Sequence, residues 1–180
     1  MRVSYRWLQD YVKFELSAEE LAEKLTMAGI EVEGVVPPVE GLDRIIVGKI
    51  LELTPHPNAE HLMLCRVDIG DSEIQLGSGA PNIKSGVCAA VALPGVTLPG
   101  GRIEAREFRG EMSEGMLCSG AELGTDEWGY GDDKGILLLD GEIPPGTKLD
   151  KAINLDDEIL ELELTPNRGD CQAVINIARE

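Results

Sequence analysis

The central part of the chain is divided into short apolar segments by closely spaced glycine and proline residues. Turn signals at Gly70-Asp71, Pro94-Gly95 and Pro99-Gly-Gly101 separate these segments from one another. Residues 63–69 alternate between apolar and polar side chains, which is the period of a half-buried strand. Because the segments are too short for long helices, the pattern predicts a succession of short strands joined by tight turns.

The strands expected in this central region lie at residues 44–53, 63–69, 73–77, 87–93, 102–108 and 116–119, with a further strand at 136–139. Five or so short strands with glycine-rich turns and a late small helix are typical of a partly open OB barrel. An SH3-like barrel is the structural alternative. We therefore expect a mostly β fold, in which residues 128–135 form a surface loop.

The first forty residues carry helix signals instead. Ser4 can cap a short helix whose Trp7, Leu8, Tyr11 and Val12 fall on one face. Residues 17–20 form a capping box, and the helix that follows is expected to stop at Gly29. Residues 30–36 then alternate as a strand would, before two prolines end the segment.

The last thirty residues again combine strand and helix signals. Residues 159–164 alternate leucine with glutamate, the pattern of a half-buried strand. Asp170 is a good N-cap, and the apolar residues after it follow helical spacing. No stop signal precedes Glu180, so this segment is expected to be truncated within a helix.

Neither terminal segment is large enough to bury its own apolar face. Joined together they reach roughly seventy residues, the size at which a domain folds alone. We therefore expect residues 1–40 and 151–180 to form one small discontinuous α+β domain, with strands 30–36 and 159–164 paired. Residues 41–150 would be an OB-fold barrel inserted into that domain, as exposed turns permit.

Net charge limits the partners that the chain can have. The sequence has 16 lysines and arginines against 33 acidic residues, a balance of −17. Most of the surface therefore repels a polyanion, and any contact with nucleic acid requires a local basic strip. The longest near-apolar run is too short to span a bilayer, and the first residues lack the apolar core of a signal peptide. A soluble cytoplasmic protein without a membrane or DNA partner is expected.

The sequence shows no catalytic, cofactor-binding or metal-binding constellation. The histidines lie five residues apart beside prolines, which suits neither a general-base relay nor a metal pair. The cysteines are too widely spaced for a zinc hook and are expected to be buried apolar groups; they are Cys65, Cys88, Cys118 and Cys171.

Several motifs carry a resemblance to a known family. The segments His56-Pro-Asn-Ala59 and Ser113-Glu-Gly-Met-Leu-Cys-Ser119 together resemble the tRNA-binding OB-fold domain family. The outer segments Ser4-Tyr-Arg-Trp-Leu8 and Leu164-Thr-Pro-Asn-Arg-Gly-Asp170 are similar to the N-terminal region of bacterial phenylalanyl-tRNA synthetase β subunits in particular. The resemblance covers essentially the whole chain.

This resemblance implies a class II aminoacyl-tRNA synthetase, an α2β2 heterotetramer that joins phenylalanine to its tRNA with ATP and Mg²⁺. In that family the aminoacylation site lies in the α subunit and the editing site lies further along the β subunit. A segment like this one would therefore hold no catalytic residue and no cofactor, and would contribute auxiliary tRNA binding. A freestanding tRNA-binding module and a protein-docking module are the alternatives.

Nucleic-acid binding by an OB fold requires cationic and polar side chains along one groove. The candidate tRNA-binding residues are Lys49, Asn58, Arg66, Lys84, Arg102, Arg106, Arg109, Ser113 and Ser119. The three later arginines either face phosphates or pair with the glutamates at 104, 107 and 111. The two serines either contact RNA or satisfy the backbone of the turns.

Overall fold

A computed structural model of the chain describes residues 1–131 and 135–180. In chain order its strands are β1 (Arg2–Ser4), β2 (Glu31–Val36), β3 (Ile45–Pro55), β4 (Met63–Asp68), β5 (Glu73–Ser78), β6 (Cys88–Ala92), β7 (Thr97–Leu98), β8 (Gly101–Arg102), β9 (Arg106–Phe108), β10 (Glu111–Ser113), β11 (Met116–Leu117), β12 (Leu138–Leu139) and β13 (Ile159–Glu163). The α-helices are α1 (Tyr5–Tyr11), α2 (Ala18–Met27), α3 (Gly120–Leu123), α4 (Leu149–Ala152) and α5 (Val174–Ile177). Short 3₁₀ segments lie at Leu42–Arg44, Asp126–Trp128 and Pro166–Gln172. The described residues are thus mostly β with short helices, and the surface loop expected at 128–135 falls partly outside them, at 132–134.

The chain divides into two compact units. One unit comprises Met1–Glu40 with Leu155–Glu180, and the other comprises Gly41–Asn154. The second boundary lies a few residues later than position 151, because α4 packs against β3 and the 3₁₀ segment of the central unit. Leu149 in α4 is fully buried there.

The terminal unit is built on a three-stranded antiparallel sheet with the order β1-β13-β2. The predicted pairing of the strands near 30–36 and 159–164 is confirmed, since β2 runs antiparallel to β13 with Val36 opposite Ile159. Inward residues of the sheet and its helices form one core of Val3, Leu8, Leu25, Ile30, Leu160, Leu162, Cys171 and Ile177. Burial of these side chains holds the two distant segments of sequence together.

Both helix starts predicted in the first forty residues are confirmed. The Ser4 hydroxyl accepts a hydrogen bond from the Trp7 N–H at 2.9 Å, and Ser17 with Glu20 completes a reciprocal capping box. Gly29 follows α2 with a φ of 90°, the left-handed conformation that usually terminates a helix.

The start predicted for the last helix, directly after Asp170, is wrong. The structure has a 3₁₀ segment through this region, and α5 begins only at Val174. The Asp170 carboxylate accepts hydrogen bonds from the Arg168 guanidinium and the Cys171 thiol, so it does not cap a helix. Side-chain contacts at this site have outweighed the local N-cap preference.

The central unit contains an antiparallel sheet whose strands pair in the order β11-β6-β3-β4-β5. Strand β12 also pairs with β6. Every residue of β6 is buried. Ile50, Val67, Leu76, Val91 and Leu117 belong to its core. The predicted inward and outward alternation of β4 is confirmed, with Cys65 and Val67 buried and Arg66 exposed.

At one end of this path, β5 is joined to residues 113–114, which precede β11, by single hydrogen bonds rather than by a strand ladder. Within the described residues, the Glu114 N–H donates to the Gln75 oxygen at 2.9 Å, and the Gly77 N–H donates to the Ser113 hydroxyl at 3.1 Å. The sheet curves without closing into a complete barrel.

The strand predicted at 102–108 is wrong, because it is interrupted at residues 103–105. The Ile103 N–H donates back to the Val96 oxygen at 2.7 Å, which extends the β7–β8 hairpin. Residues Arg106–Phe108 instead turn and pair with Glu111–Ser113 as a second hairpin. The strand predicted at 116–119 is likewise shorter: β11 ends at Leu117, and Ser119 is the N-cap of α3.

Candidate nucleic-acid interface

The β9–β10 hairpin carries two of the predicted basic residues. Its strands are joined by a two-residue turn, Arg109-Gly110, in which both residues have positive φ values of 48° and 97°. This is the pattern of a type I′ hairpin turn, for which asparagine or glycine is preferred at the first position. An arginine here costs about 1–2 kcal/mol in backbone energy, so other contacts must hold the turn.

Those contacts come from the His-Pro-Asn segment, which lies about fifty positions earlier in the chain. The buried His56 ring donates from Nε2 to the Phe108 oxygen at 2.8 Å and accepts at Nδ1 from the Asn58 N–H at 3.1 Å. The Asn58 amide donates to the Arg109 oxygen at 2.8 Å, and the Arg109 guanidinium donates to the Asn58 oxygen at 3.0 Å. We call His56 and Asn58, with these bonds, the clamp. It fixes the hairpin tip to the end of β3.

A groove opens between this hairpin and the β7–β8 hairpin. It has a volume of about 350 Å³, and its lining includes Leu98, Ile103, Phe108 and Met116 together with the backbone of Gly77. We call it the hairpin groove. Phe108 is 44% exposed, so an aromatic face is available to a ligand. Its lining is therefore largely apolar and includes an aromatic residue whose backbone is bonded to the clamp.

Two of the predicted arginines lie in the lining of this groove and have no ion-pair partner among the residues that the structure describes. Arg102 in β8 and Arg106 in β9 are both exposed and line it. Within residues 1–131 and 135–180, neither makes an ion pair with a carboxylate. The expected alternative, pairing with the glutamates at 104, 107 and 111, does not occur among these residues. Their charges are available to an anion.

The other predicted cations are placed differently. Arg66 lies between two carboxylates, at 2.7 Å from Glu73 and 2.9 Å from Glu52. Hydrogen bonds to Glu73 and Glu52 raise the pKa of its guanidinium above the ordinary value. Lys49 is half-buried in β3 opposite Asp68. Lys84 is exposed in the segment between β5 and β6, and it does not line the hairpin groove.

The two predicted serines have hydroxyls that already bond to the protein. Ser113 is buried; its hydroxyl accepts from the Gly77 N–H and donates to the Gly115 oxygen at 2.9 Å. Ser119 caps α3, where it accepts from the Glu122 N–H and donates to the Glu122 carboxylate at 2.7 Å. Both side chains stabilise turns beside the groove.

Two contributors escaped the sequence-based reasoning. Neither His56 nor Phe108 was among the candidate tRNA-binding residues. Their connection depends on a contact between residues 52 positions apart, which local patterns cannot show. The unusual Arg109-Gly110 turn was the one available signal, because it requires external support.

One cluster in the terminal unit has metal-ligand chemistry, formed by Asp170, Cys171 and Glu180. The Arg168 guanidinium occupies the same place, at 2.9 Å from Glu180 and 3.4 Å from Asp170. It also donates to the Cys171 sulfur at 2.8 Å. A guanidinium already neutralises these carboxylates, which disfavours a second cation.

Two buried cysteines have thiols with raised pKa values. Burial raises the pKa of Cys65 to about 11, and burial followed by the charge of Glu122 raises that of Cys118 to about 12. Both thiols are therefore weak nucleophiles at neutral pH.

No helix in the part of the chain that the structure describes has the length and apolar composition needed to cross a bilayer.

Comparison with known proteins shows which family the chain belongs to. A family model described as a putative tRNA binding domain matches residues 45–148. Over its whole length the chain is 50% identical to the phenylalanine–tRNA ligase beta subunit of Moorella thermoacetica, 43% identical to that of Legionella pneumophila strain Lens and 41% identical to that of Clostridium acetobutylicum. It spans 22–23% of the length of these relatives. The predicted resemblance is confirmed, and the chain belongs to the family of putative tRNA binding domains.

Proposed function

We propose that this chain is an N-terminal module of a phenylalanine–tRNA ligase β subunit and helps that enzyme to hold its tRNA. The observation that carries the proposal is the family match across residues 45–148, together with whole-length similarity to the beta subunits. The arrangement of charge supports it, because Arg102 and Arg106, which have no ion pair within residues 1–131 and 135–180, lie on two adjoining hairpins.

The physical basis is local attraction within a repulsive surface. A net charge of −17 keeps RNA away from most of the protein. Arg102, Arg106 and Arg109 are exposed on the two hairpins, where a phosphate backbone meets cations without displacing existing ion pairs. Asn58 contributes by holding the hairpin tip. Binding through so few cations is expected to be weak and strongly dependent on salt.

The central unit is best described as an OB-type module. Its short antiparallel strands, glycine turns and small helices suit that fold, with a seam of single hydrogen bonds where β5 approaches β11. It is inserted into a discontinuous α+β domain formed by the two terminal segments. The division of the chain at residues 41 and 155 supports this arrangement.

The parent protein would be a class II aminoacyl-tRNA synthetase of the cytoplasm, assembled as an α2β2 heterotetramer. ATP and Mg²⁺ would act at the aminoacylation site of the α subunit. In this scheme the residues of this chain carry out no chemical step. They raise the local concentration of tRNA and orient it relative to the catalytic subunits.

The test is a salt titration of tRNA binding to the 180-residue chain. We expect the triple substitution of alanine for Arg102, Arg106 and Arg109 to lower the affinity and to reduce the slope of log K against log salt by about 3. A control with alanine at Lys13, Lys24 and Lys151 removes the same charge from other exposed positions. No binding by the unsubstituted chain at low salt, or equal losses in both variants, would contradict the proposal.

A further inference from the structure

We propose that the hairpin groove binds a single unpaired nucleotide, whose base stacks on Phe108 while its neighbouring phosphates approach Arg102 and Arg106. This inference rests on the proposed function and specifies the part of the RNA that is recognised. It predicts that the module selects single-stranded RNA over a duplex.

The shape of the groove suits a flat base. Its volume of about 350 Å³ lies at the lower end of the range for small-molecule sites. Gly77, Gly100 and Gly101 lie in its lining, where the absence of side chains leaves space. A Cβ atom added to Gly100 would meet no other atom within 4 Å. An open slot with one exposed aromatic face is the geometry on which bases stack without strong sequence preference.

The distribution of charge argues against a duplex at this place. A duplex presents phosphates along its whole length and is bound through many cations. Here two arginines without an ion pair in the described part of the chain lie in the lining of one groove, on a protein with a net charge of −17. A phosphate on each side of one inserted base can reach them, whereas an extended duplex would also meet the acidic surface.

The carboxylates in the lining refine the choice of base. Glu122 is occupied by the Ser119 backbone N–H and hydroxyl at 2.8 and 2.7 Å. Glu104 is exposed in the lining and offers a hydrogen-bond acceptor. Carboxylates accept from exocyclic amino groups, which adenine, cytosine and guanine have and uracil lacks. Adenine, which also has the larger stacking surface, is expected to bind better than uracil.

The backbone that carries the Phe108 ring is held in place before the ligand arrives. The His56 ring bonds to the Phe108 oxygen, and Asn58 bonds to the next residue along the turn. Preorganisation of this kind lowers the conformational entropy lost on binding. The clamp thus contributes to the site without touching the ligand.

The decisive variant is Gly77→Val, which narrows the groove beside Phe108 and leaves every arginine in place. A Cβ at Gly77 would lie 4.0 Å from the Phe108 ring and the Ser113 Cβ, which is ordinary van der Waals contact. Valine is favoured in strands, so the fold should be retained. Gly34→Val is the matched control, because Gly34 lies in a strand of the terminal unit and has open space around it.

The probe is a short single-stranded ribo-oligonucleotide with one 2-aminopurine, whose fluorescence falls when the base stacks. We expect quenching with the unsubstituted chain and with Gly34→Val. Gly77→Val and Phe108→Ala should each lose about fivefold or more in affinity, as for removal of one stacked base. The same strand annealed to its complement should bind more weakly, as should an otherwise equivalent oligouridine.

The outcomes separate this inference from the proposed function. If tRNA binds to the chain but Gly77→Val and Phe108→Ala bind it as well as the unsubstituted chain does, the groove inference is overturned and the proposed function remains. Equal affinity for single strand and duplex also overturns the inference. If the unsubstituted chain binds neither tRNA nor the oligonucleotide at low salt, both fail, and protein docking becomes the better account of the module.

Discussion

Replacing His56 with alanine tests whether the clamp positions the hairpin that carries the candidate site. The substitution removes a buried ring that makes two hydrogen bonds, one to the Phe108 oxygen and one from the Asn58 N–H. Phe108 and Asn58 are themselves exposed, so water can reach the groups that lose their partner. Each lost bond then costs about 1 kcal/mol, at the low end for an unsatisfied buried group. We expect the free energy of unfolding to fall by about 2 kcal/mol.

The same variant should weaken tRNA binding without removing a phosphate contact. A loosened hairpin leaves Phe108 and Arg106 less well positioned, so the affinity falls at every salt concentration. The slope of log K against log salt should stay the same, because the number of cations that meet phosphates is unchanged. His56→Gln, whose amide has both a donor and an acceptor, should restore part of the affinity.

Urea unfolding and tRNA titration at several salt concentrations give both quantities. His61→Ala is the control, because His61 is exposed and its replacement should change stability by less than about 0.5 kcal/mol. The reasoning is refuted if His56→Ala is as stable as His61→Ala. It is also refuted if the salt slope falls with the affinity, since His56 would then act as a cation toward RNA.

Three further predictions follow from other contacts. Arg66→Ala should leave tRNA affinity unchanged in fluorescence anisotropy, because its charge is already paired with two carboxylates; a loss like that of Arg106→Ala would contradict this. Gly115→Ala should destabilise the chain by about 3 kcal/mol in urea unfolding, because its Cβ would lie 2.6 Å from the Ala92 oxygen at a φ of 149°; wild-type stability would be the contrary result. Burial raises the pKa of Cys65 to about 11 and of Cys118 to about 12, whereas an unfolded thiol ionises near about 8.5. The free energy of unfolding should therefore decline as pH rises from about 8.5 toward 11, and alanine at both cysteines should flatten that decline; unchanged pH dependence would count against buried, protonated thiols.

Local patterns in the sequence were sufficient where the deciding interactions are themselves local. The capping box at Ser17 joins residues three positions apart, and it was predicted because its members are near neighbours. The alternation of β4 was predicted because one face of the strand packs on the core along its length. Mostly β content followed from the spacing of the turn residues.

Prediction failed where a distant partner decides the conformation. The continuous strand expected at 102–108 is broken because Ile103 bonds back to Val96, while the next residues pair with a different strand. The start expected for the last helix failed because Asp170 bonds to the Arg168 side chain. Neither choice could be made from propensity alone, since both alternatives are locally acceptable.

Arg109 shows how a local conflict in the sequence can indicate a site. Its position in the hairpin turn favours asparagine or glycine, and an arginine there is less favourable by about 1–2 kcal/mol. Asn58 offsets that cost through two hydrogen bonds, and His56 adds a third contact one residue earlier. A fold needs none of this, because a glycine would form the same turn without a clamp. Arg109 is exposed and lies on the same hairpin as Arg106, which has no ion pair among the described residues, so we propose that its unfavourable backbone position serves anion binding rather than stability.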